Sequence, residues 1–304
     1  MEMLDKLLTD PAASRQQDIK SRLLYLRGRA CSFVPGHERL AEEHLSKALK
    51  LNPLLLDAWN ALGEVYWNLQ EIAEAKQCFE QALELCKPNP VSLRNLSMTL
   101  RALDGPSQSG GREDSAKAAT RRENYAKALD KAKEAVGMSP EDPLNWETLG
   151  NAYVGNFFVN AKRPDEIKRA LIAYEKGEAA YTKLGKHNPT LHFNRGMAAK
   201  YVEDYDLALR SFATAQEIGG ANAGEERRKV LDLIDSLAEH LQKKVKRSKD
   251  MASDFPNSSK YRSIKDVQTG KRAADPLGAR VLTLLERPGE VPVIVVCCDG
   301  CGEV

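Results

Sequence analysis

The chain has 304 residues, of which 29% are charged, and its formal net charge is only +2. This balance removes any general electrostatic reason to bind nucleic acid, so a phosphate-binding site would have to be local. No run of about eighteen apolar residues occurs, which excludes the hydropathy pattern of a membrane-spanning helix, and the start lacks the pattern of a signal peptide. We therefore expect a protein of the cytosol, with the nucleus as a second compartment, whose six scattered cysteines are reduced thiols.

From about residue 21 the sequence repeats a pattern of about 34 residues, in which W-x2-L-G-x2-Y is followed by A-x3-F and a closing Pro. Two segments match the first half without a mismatch: Trp59, Leu62, Gly63 and Tyr66, then Trp146, Leu149, Gly150 and Tyr153. Two segments match the second half: Ala75 with Phe79, and Ala170 with Tyr174. In this pattern aromatic side chains fill the space between two paired helices, and the Gly and Ala positions allow the two backbones to approach closely.

Three weaker copies of the repeat begin near Leu24, Leu93 and His192. After the last copy, apolar residues recur at helical spacing from Val230 to Leu241, which predicts a helix that caps the array. The predicted fold is therefore all-α, a tetratricopeptide-repeat (TPR) solenoid of about five helical hairpins with a cap helix. A generic helical bundle is the alternative.

An insertion interrupts the third repeat. Its first helix reaches Leu100 and its second resumes at Ala128, a much longer step than in the other repeats, and the residues between them include Gly-Pro, Ser and Gly-Gly. Because these residues favour turns, we predict a mobile loop over residues 104–122.

The first helices of stacked repeats line a groove that binds extended protein segments. Counted from the Trp position, the predicted groove residues are Asn60, Glu64, Trp67, Asn68, Arg94, Asn95, Met98, Arg101, Glu147, Thr148, Asn151, Phe193, Asn194, Met197, Lys200 and Tyr201. Asn can donate to and accept from a peptide backbone, Arg can grip a carboxylate, and the aromatic residues are apolar anchors. This lining predicts a peptide with an acidic residue beside apolar ones. For any one of these side chains, the alternative is simple exposure or pairing with a neighbour.

A basic run follows the predicted cap helix and contains the cations Lys243, Lys244, Lys246 and Arg247. It can contact phosphate, for example in ribosomal RNA or DNA. Alternatively, it is a solvated helix end at which cations are favoured by the helix dipole.

The C-terminal part changes character, because two short apolar and β-branched runs separated by Arg-Pro-Gly predict strands. The predicted segments are residues 1–20 (helical or flexible), 21–247 (array with cap helix), 248–278 (linker) and 279–304 (a short, incomplete β segment). A Cys-x-x-Cys pair at Cys298 and Cys301 lacks a second pair or a nearby His, so we expect no metal site. No catalytic or phosphate-loop motif is present, and we expect neither a cofactor nor an enzyme.

Several stretches are more specific than the general repeat pattern. The segments 57–67, 92–101, 149–153 and 188–195, together with Trp146, closely resemble the tetratricopeptide repeat protein 5 family. That resemblance implies a helical array followed by an OB-fold, here with only its first strands. It also implies two roles: a nuclear scaffold for transcriptional co-activators, and a ribosome-associated factor in tubulin autoregulation.

In the second role, the resemblance implies that the groove holds the Met-Arg-Glu-(Ile/Cys) start of nascent tubulin and that decay of the translated mRNA follows. Arg101 would meet the acidic residue of the peptide, and the basic run would face the ribosome. Thr190 stands where the family carries an acidic residue, so Glu64 or Glu147 would have to meet the arginine of the peptide. A general TPR co-chaperone that binds acidic tails is a further alternative.

Overall fold

The computed structural model describes residues 17–85, 89–103, 115–160, 164–254, 279–285 and 293–298. Within these ranges the helices are α1 (Gln17–Ser32), α2 (Glu38–Leu51), α3 (Leu56–Asn68), α4 (Ile72–Leu85), α5 (Pro90–Leu103), α6 (Ser115–Met138), α7 (Pro143–Val159), α8 (Pro164–Lys183), α9 (Pro189–Tyr201), α10 (Tyr205–Glu217) and α11 (Ala223–Asp254). The strands are β1 (Ala279–Leu285) and β2 (Val293–Cys298). The predicted all-α solenoid is confirmed.

Helices α1 to α10 form five consecutive hairpins. Each odd-numbered helix packs against the even-numbered helix that follows it, and each even-numbered helix packs against the first helix of the next hairpin. Since short connections join the two helices in four of the hairpins, these helices run antiparallel. The core is therefore continuous along the array, and each repeat buries its apolar face against its neighbours.

The glycines of the repeat pattern receive aromatic rings from the paired helix. A Cβ added at Gly63 would lie 2.6 Å from Cε1 of Phe79, and one added at Gly150 would lie 2.5 Å from Cε1 of Tyr174. The same geometry recurs in the last hairpin, where Gly196 receives Phe212 at 2.6 Å. Each ring thus packs directly on the backbone of the facing helix, which explains why the pattern requires glycine at that place.

The tryptophans of the pattern bind the turn that precedes their own helix. Nε1 of Trp59 donates to the carbonyl oxygen of Pro53 at 2.8 Å, and Nε1 of Trp146 donates to that of Pro140 at 2.7 Å. Because the indole N–H satisfies a turn carbonyl, the rings can lie between helices without losing a hydrogen bond.

The third hairpin, α5 with α6, departs from this geometry. Ser97 takes the glycine position and is fully buried, and the facing positions Ala128 and Ala132 are small, which compensates for the added side chain. The predicted loop over 104–122 is wrong in its second part, because α6 begins at Ser115. Three alanines and two arginines among residues 115–122 are good helix formers, and they outweigh the turn signals that precede them. The rest of the predicted loop, residues 104–114, lies outside the described residues.

The chain divides into two units, one ending at Gly224 and the other beginning at Glu225. In the second unit α11 continues to Asp254, beyond the predicted start of the linker at residue 248. The strands β1 and β2 pair antiparallel, with Ala279 opposite Cys298 and Leu285 opposite Val293. The OB-fold stays a prediction. No helix in the described ranges is long and apolar enough to cross a membrane.

Candidate peptide-binding groove

The first helices of successive hairpins contact one another along the array: α1 with α3, α3 with α5, α5 with α7, and α7 with α9. Together they form a continuous face, which we call the groove. In stacked repeat arrays this face lines the concave side. The predicted groove residues differ in whether their polar atoms are available or already bonded to a neighbouring repeat.

Asn60 and Arg94, at the same position of successive repeats, bind the next repeat instead of facing a free groove. Asn60 is buried, and its Oδ1 accepts from the Ser92 hydroxyl at 2.7 Å. Arg94 pairs with Asp142 at 2.7 Å and also donates to Asn145 Oδ1 at 3.3 Å. These two residues thus fasten consecutive first helices to each other.

Glu147 occupies that position in the fourth repeat and behaves in the same way. Its Oε2 accepts from Asn188 Nδ2 at 2.6 Å and from the Tyr181 hydroxyl at 3.2 Å. Burial raises the pKa of this carboxyl, and the hydrogen bonds from Tyr181 and Asn188 act in the opposite direction. Glu147 is therefore engaged within the array and is poorly placed to meet a charged ligand.

The N-terminal half of the groove contains one more paired acid. Glu64 binds Arg29 of the first repeat at 2.7 Å, but 44% of its side chain is exposed. Trp67 packs partly against the core formed by α4, α5 and α6. The remaining predicted residues of this region differ in exposure: Asn68 is exposed, and Asn95 and Met98 are half-buried.

Arg101, on α5, is the most distinctive of the predicted residues. Burial lowers the pKa of its guanidinium, and nearby Tyr174 and Tyr125 partly offset this effect. Its Nε donates to the Ser97 carbonyl at 3.3 Å. No carboxylate pairs with Arg101 among the residues that the structure describes, whereas Arg29, Arg39 and Arg94 all have one. A half-buried cation without an acid partner has a strong electrostatic preference for an anionic ligand.

An asparagine pair is linked to Arg101 through Tyr174, which lies near the guanidinium and bonds to Asn151. Oδ1 of Asn151 accepts from the Tyr174 hydroxyl at 2.7 Å and from Nδ2 of Asn194 at 3.0 Å. This leaves the amide nitrogen of Asn151 as a donor and Oδ1 of Asn194 as an acceptor, neither of them bonded to a described residue. An amide donor beside an amide acceptor matches the hydrogen-bonding groups of an extended peptide backbone.

Exposed apolar side chains continue the groove at its C-terminal end. Met197 is 41% exposed and Tyr201 is 49% exposed. The Tyr201 ring packs edge-on against Phe157 and Phe158, with centroids 5.2 and 5.1 Å apart. Sequence reasoning missed the exposed Phe158, because it lies in the extra turn of α7 that lengthens the fourth repeat beyond the standard pattern.

The other predicted residues of this end have varied surroundings. Thr148 is buried, and Phe193 packs at a tilt against Phe212 with centroids 5.8 Å apart. Lys200 is half-buried and has an interaction within the chain. Thr190 is exposed, and its N–H donates to Asn188 Oδ1 at 2.9 Å, so it serves the start of α9.

The basic run stays a prediction. Lys243, Lys244, Lys246 and Arg247 belong to the helical backbone of α11, but their side chains lie outside the described residues. In the described part of the chain, no group of three or more His, Cys, Asp or Glu residues could hold a metal ion.

A separate cavity of about 840 Å³ lies among α3, α4 and α6 and contains none of the predicted groove residues. Its lining includes Trp59, Tyr66, the buried thiol of Cys78 and several glutamates. Because Trp59, Tyr66 and Cys78 belong to the repeat core, we do not propose this cavity as a ligand site.

Residues 56–89 match the family model described as tetratricopeptide repeat. This segment comprises α3, α4 and the four residues that follow them in the sequence, so it covers one hairpin of the array. Together with the stacking of the hairpins, the match places the chain among the tetratricopeptide-repeat proteins, the class of repeat arrays that bind peptides and partner proteins.

Within that class, the chain is 39% identical over 228 residues to tetratricopeptide repeat protein 5 of Bos taurus and 38% identical over 232 residues to that of Homo sapiens. The aligned segments cover 74% and 75% of this chain and 49% of each relative. The resemblance drawn from the sequence is thus confirmed: the array is related to that of tetratricopeptide repeat protein 5. The chain spans about half the length of the curated relatives it matches.

A more distant relative and two solved structures agree with this class. The chain is 27% identical over 246 residues, 79% of its length, to the DnaJ homolog subfamily C member 7 homolog of Schizosaccharomyces pombe, and covers 48% of that protein. A thermophilic TPR protein of Thermus thermophilus matches with a TM-score of 0.53 at 17% identity, over 69% of this chain and 98% of that one. PilF of Pseudomonas aeruginosa matches with a TM-score of 0.52 at 19% identity, over 82% of this chain and 99% of that one. These two structures support the fold alone.

Proposed function

We propose that this chain is a peptide-binding adaptor whose groove recognises the N-terminal Met-Arg-Glu-(Ile/Cys) segment of nascent tubulin at the ribosome, so that the tubulin mRNA is degraded. The observation that carries the proposal is Arg101, a half-buried guanidinium with no carboxylate partner among the described residues. An acidic residue at the third position of the peptide would supply that partner. The relation to tetratricopeptide repeat protein 5 supports this choice of ligand.

The asparagine pair supports an extended ligand beside Arg101. Asn151 and Asn194 offer one donor and one acceptor, as a backbone requires. A charge-assisted bond from Arg101 to the peptide would contribute about 1.5–3 kcal/mol. Of the two candidates for the arginine of the peptide, Glu64 is the better placed, because it is partly exposed, whereas Glu147 is buried and bonded twice.

In this proposal Lys243, Lys244 and Lys246 contact the ribosome through phosphates of its RNA. The protein then acts in the cytosol, and an mRNA-decay adaptor is a further partner. Replacing all three lysines by Glu should abolish co-sedimentation with ribosomes without changing peptide affinity. Co-sedimentation that survives this change at physiological salt would remove the basic run from the mechanism.

Two other functions follow from the sequence and the relatives. A co-chaperone that binds acidic tails is one alternative, and one relative is named as a DnaJ homolog. Such a site needs several free cations, however, and Arg94 is neutralised by Asp142. A nuclear scaffold for transcriptional co-activators would require neither ribosome binding nor a Met-Arg-Glu ligand.

The test is the affinity of a fluorescent Met-Arg-Glu-Ile peptide for the full chain, measured by anisotropy. Arg101→Ala should weaken binding by roughly tenfold to a hundredfold, and exchange of the peptide glutamate for glutamine should have a similar effect. Arg210→Ala is the matched control, because Arg210 is 71% exposed and lies on a second helix. If neither Arg101→Ala nor the exchange of the peptide glutamate weakens binding, the proposal is refuted and the nuclear scaffold function is favoured.

A further inference from the structure

We propose that Tyr125, from the lengthened helix of the third repeat, completes the carboxylate subsite of Arg101 and determines its preference for an acidic residue over a neutral one. This inference rests on the proposed function, since it concerns the same groove. It adds a residue that lies outside the repeat pattern and on a second helix, where groove residues are not expected.

The geometry that carries the inference is centred on Gly155 of α7. A Cβ added at Gly155 would lie 2.7 Å from Cε1 and 3.1 Å from Cδ1 of Tyr125, and 3.5 Å from Cδ of Arg101. The Tyr125 ring and the stem of Arg101 therefore meet over the same bare stretch of backbone. Only a glycine leaves room for the ring there. The site is therefore formed by three helices: Arg101 lies on α5, Tyr125 on α6 and Gly155 on α7.

The position of Tyr125 in the chain explains how it reaches the groove. The buried residues of α6 begin at Ala128, which is also the first residue of α6 that fits the repeat pattern. Tyr125 precedes it by three residues, the same offset at which α4 begins before Ala75 and α10 begins before Ala208. Tyr125 therefore lies in the turn at which these other second helices begin, and in α6 its side chain lies beside Arg101.

The hydrogen bonds of the two neighbouring tyrosines differ. Tyr174 is buried and its hydroxyl donates to Asn151, so this hydroxyl is already hydrogen-bonded within the array. Tyr125 is half-buried, and its hydroxyl has no hydrogen bond to the described residues. A phenol donor beside a guanidinium offers two donors from different directions, and a carboxylate can accept from both through its two oxygens. A glutamine side chain has a single oxygen and brings an N–H group that the two donors cannot bind.

The experiment compares the full chain with Tyr125→Phe, using fluorescent Met-Arg-Glu-Ile and Met-Arg-Gln-Ile peptides. We expect Tyr125→Phe to weaken binding of the glutamate peptide by roughly fivefold to tenfold and to leave the glutamine peptide nearly unchanged. Tyr205→Phe is the matched control, because Tyr205 is also half-buried but lies on α10. Gly155→Ala, whose methyl group would displace the ring, should weaken binding of the glutamate peptide to a similar extent. The double variant should lose no more affinity than either single variant.

The outcomes separate this inference from the proposed function. If Arg101→Ala removes the preference for glutamate and Tyr125→Phe leaves it intact, the role of Tyr125 is refuted and the function stands. If neither change affects the preference, both are refuted. Unchanged far-ultraviolet circular dichroism and melting temperature of Tyr125→Phe would show that a loss of affinity does not come from unfolding.

Discussion

The contact between Gly150 and Tyr174 shows how single residues hold each hairpin together. Tyr174 is 1% exposed, and its ring lies against the backbone of α7 at the point where the glycine has no side chain. Its hydroxyl reaches Asn151, so the same residue both fills the core and orients a groove side chain. A residue that is selected for packing therefore also shapes the binding face.

Gly150→Ala should destabilise the protein by about 1–3 kcal/mol, because the methyl group would lie 2.5 Å from a ring that cannot move away. Gly137→Ala is its matched control: Gly137 lies in α6, and a Cβ added there meets nothing within 4 Å. This second change should stabilise the protein by about 0.5 kcal/mol through helix propensity. Urea unfolding measures both, and effects of the same sign would contradict this explanation of the repeat glycine.

At the scale of the element, the capping residues of α7 and α9 also join these helices to the preceding first helix. Asp142 caps α7 by accepting from the Leu144 N–H at 3.0 Å, and its other oxygen pairs with Arg94 of α5 at 2.7 Å. Asn188 likewise caps α9 and donates to Glu147 of α7. One short polar side chain thus ends the turn and sets the distance between successive hairpins.

Asp142→Ala should therefore cost more than the loss of an ordinary cap. Asp204→Ala provides the comparison, since Asp204 caps α10 through the Leu207 N–H at 3.0 Å and has no ion pair in the described part of the chain. We expect a loss of about 1 kcal/mol for Asp204→Ala and about 2–4 kcal/mol for Asp142→Ala. Equal losses in thermal or urea unfolding would show that the pair with Arg94 contributes nothing.

At the scale of the whole molecule, the array is held together by contacts between neighbours. Each hairpin packs against the next one along the chain, so stability is a sum of repeat terms and interface terms. In such an array, weakening one interface can uncouple the segments on either side of it. The interface between the third and fourth hairpins contains the Arg94–Asp142 pair and borders the groove site.

Arg94→Ala should separate the unfolding of the two halves, because it leaves Asp142 half-buried and unpaired at a cost of about 1–3 kcal/mol. The tryptophans are suitable reporters: Trp59 and Trp67 lie before the interface, and Trp146 lies after it. One variant retains only Trp59 and Trp67, and a second variant retains only Trp146. Their urea transitions should coincide when Arg94 is present and should have different midpoints when Arg94 is replaced by Ala. Coincident transitions in both cases would show that the array unfolds as one unit despite the change, and Arg210→Ala is again the control.

The repeat pattern predicted the hairpins, their order and the faces that meet. The spacing of Trp, Leu, Gly and Tyr reflects contacts inside one hairpin, and such contacts depend on residues close in sequence. The boundaries of α6 were less predictable, because turn residues and helix formers adjoin within the insertion. The sequence also placed Arg101 in the groove but gave no sign that it lacks an acid partner in the described part of the chain.

By itself, the sequence determined the class of fold and the face that holds the groove, since a periodicity of helical residues specifies which side chains share a side. The tertiary structure alone decided which of those side chains remain available. Asn60, Arg94 and Glu147 are bonded to the next repeat, whereas Arg101 is not paired with a described acid, and Tyr125 lies beside Arg101 on a second helix, where the pattern predicts no groove residue. The physical reason is that availability depends on hydrogen bonds between residues some 30 to 50 positions apart, and no local spacing encodes these bonds.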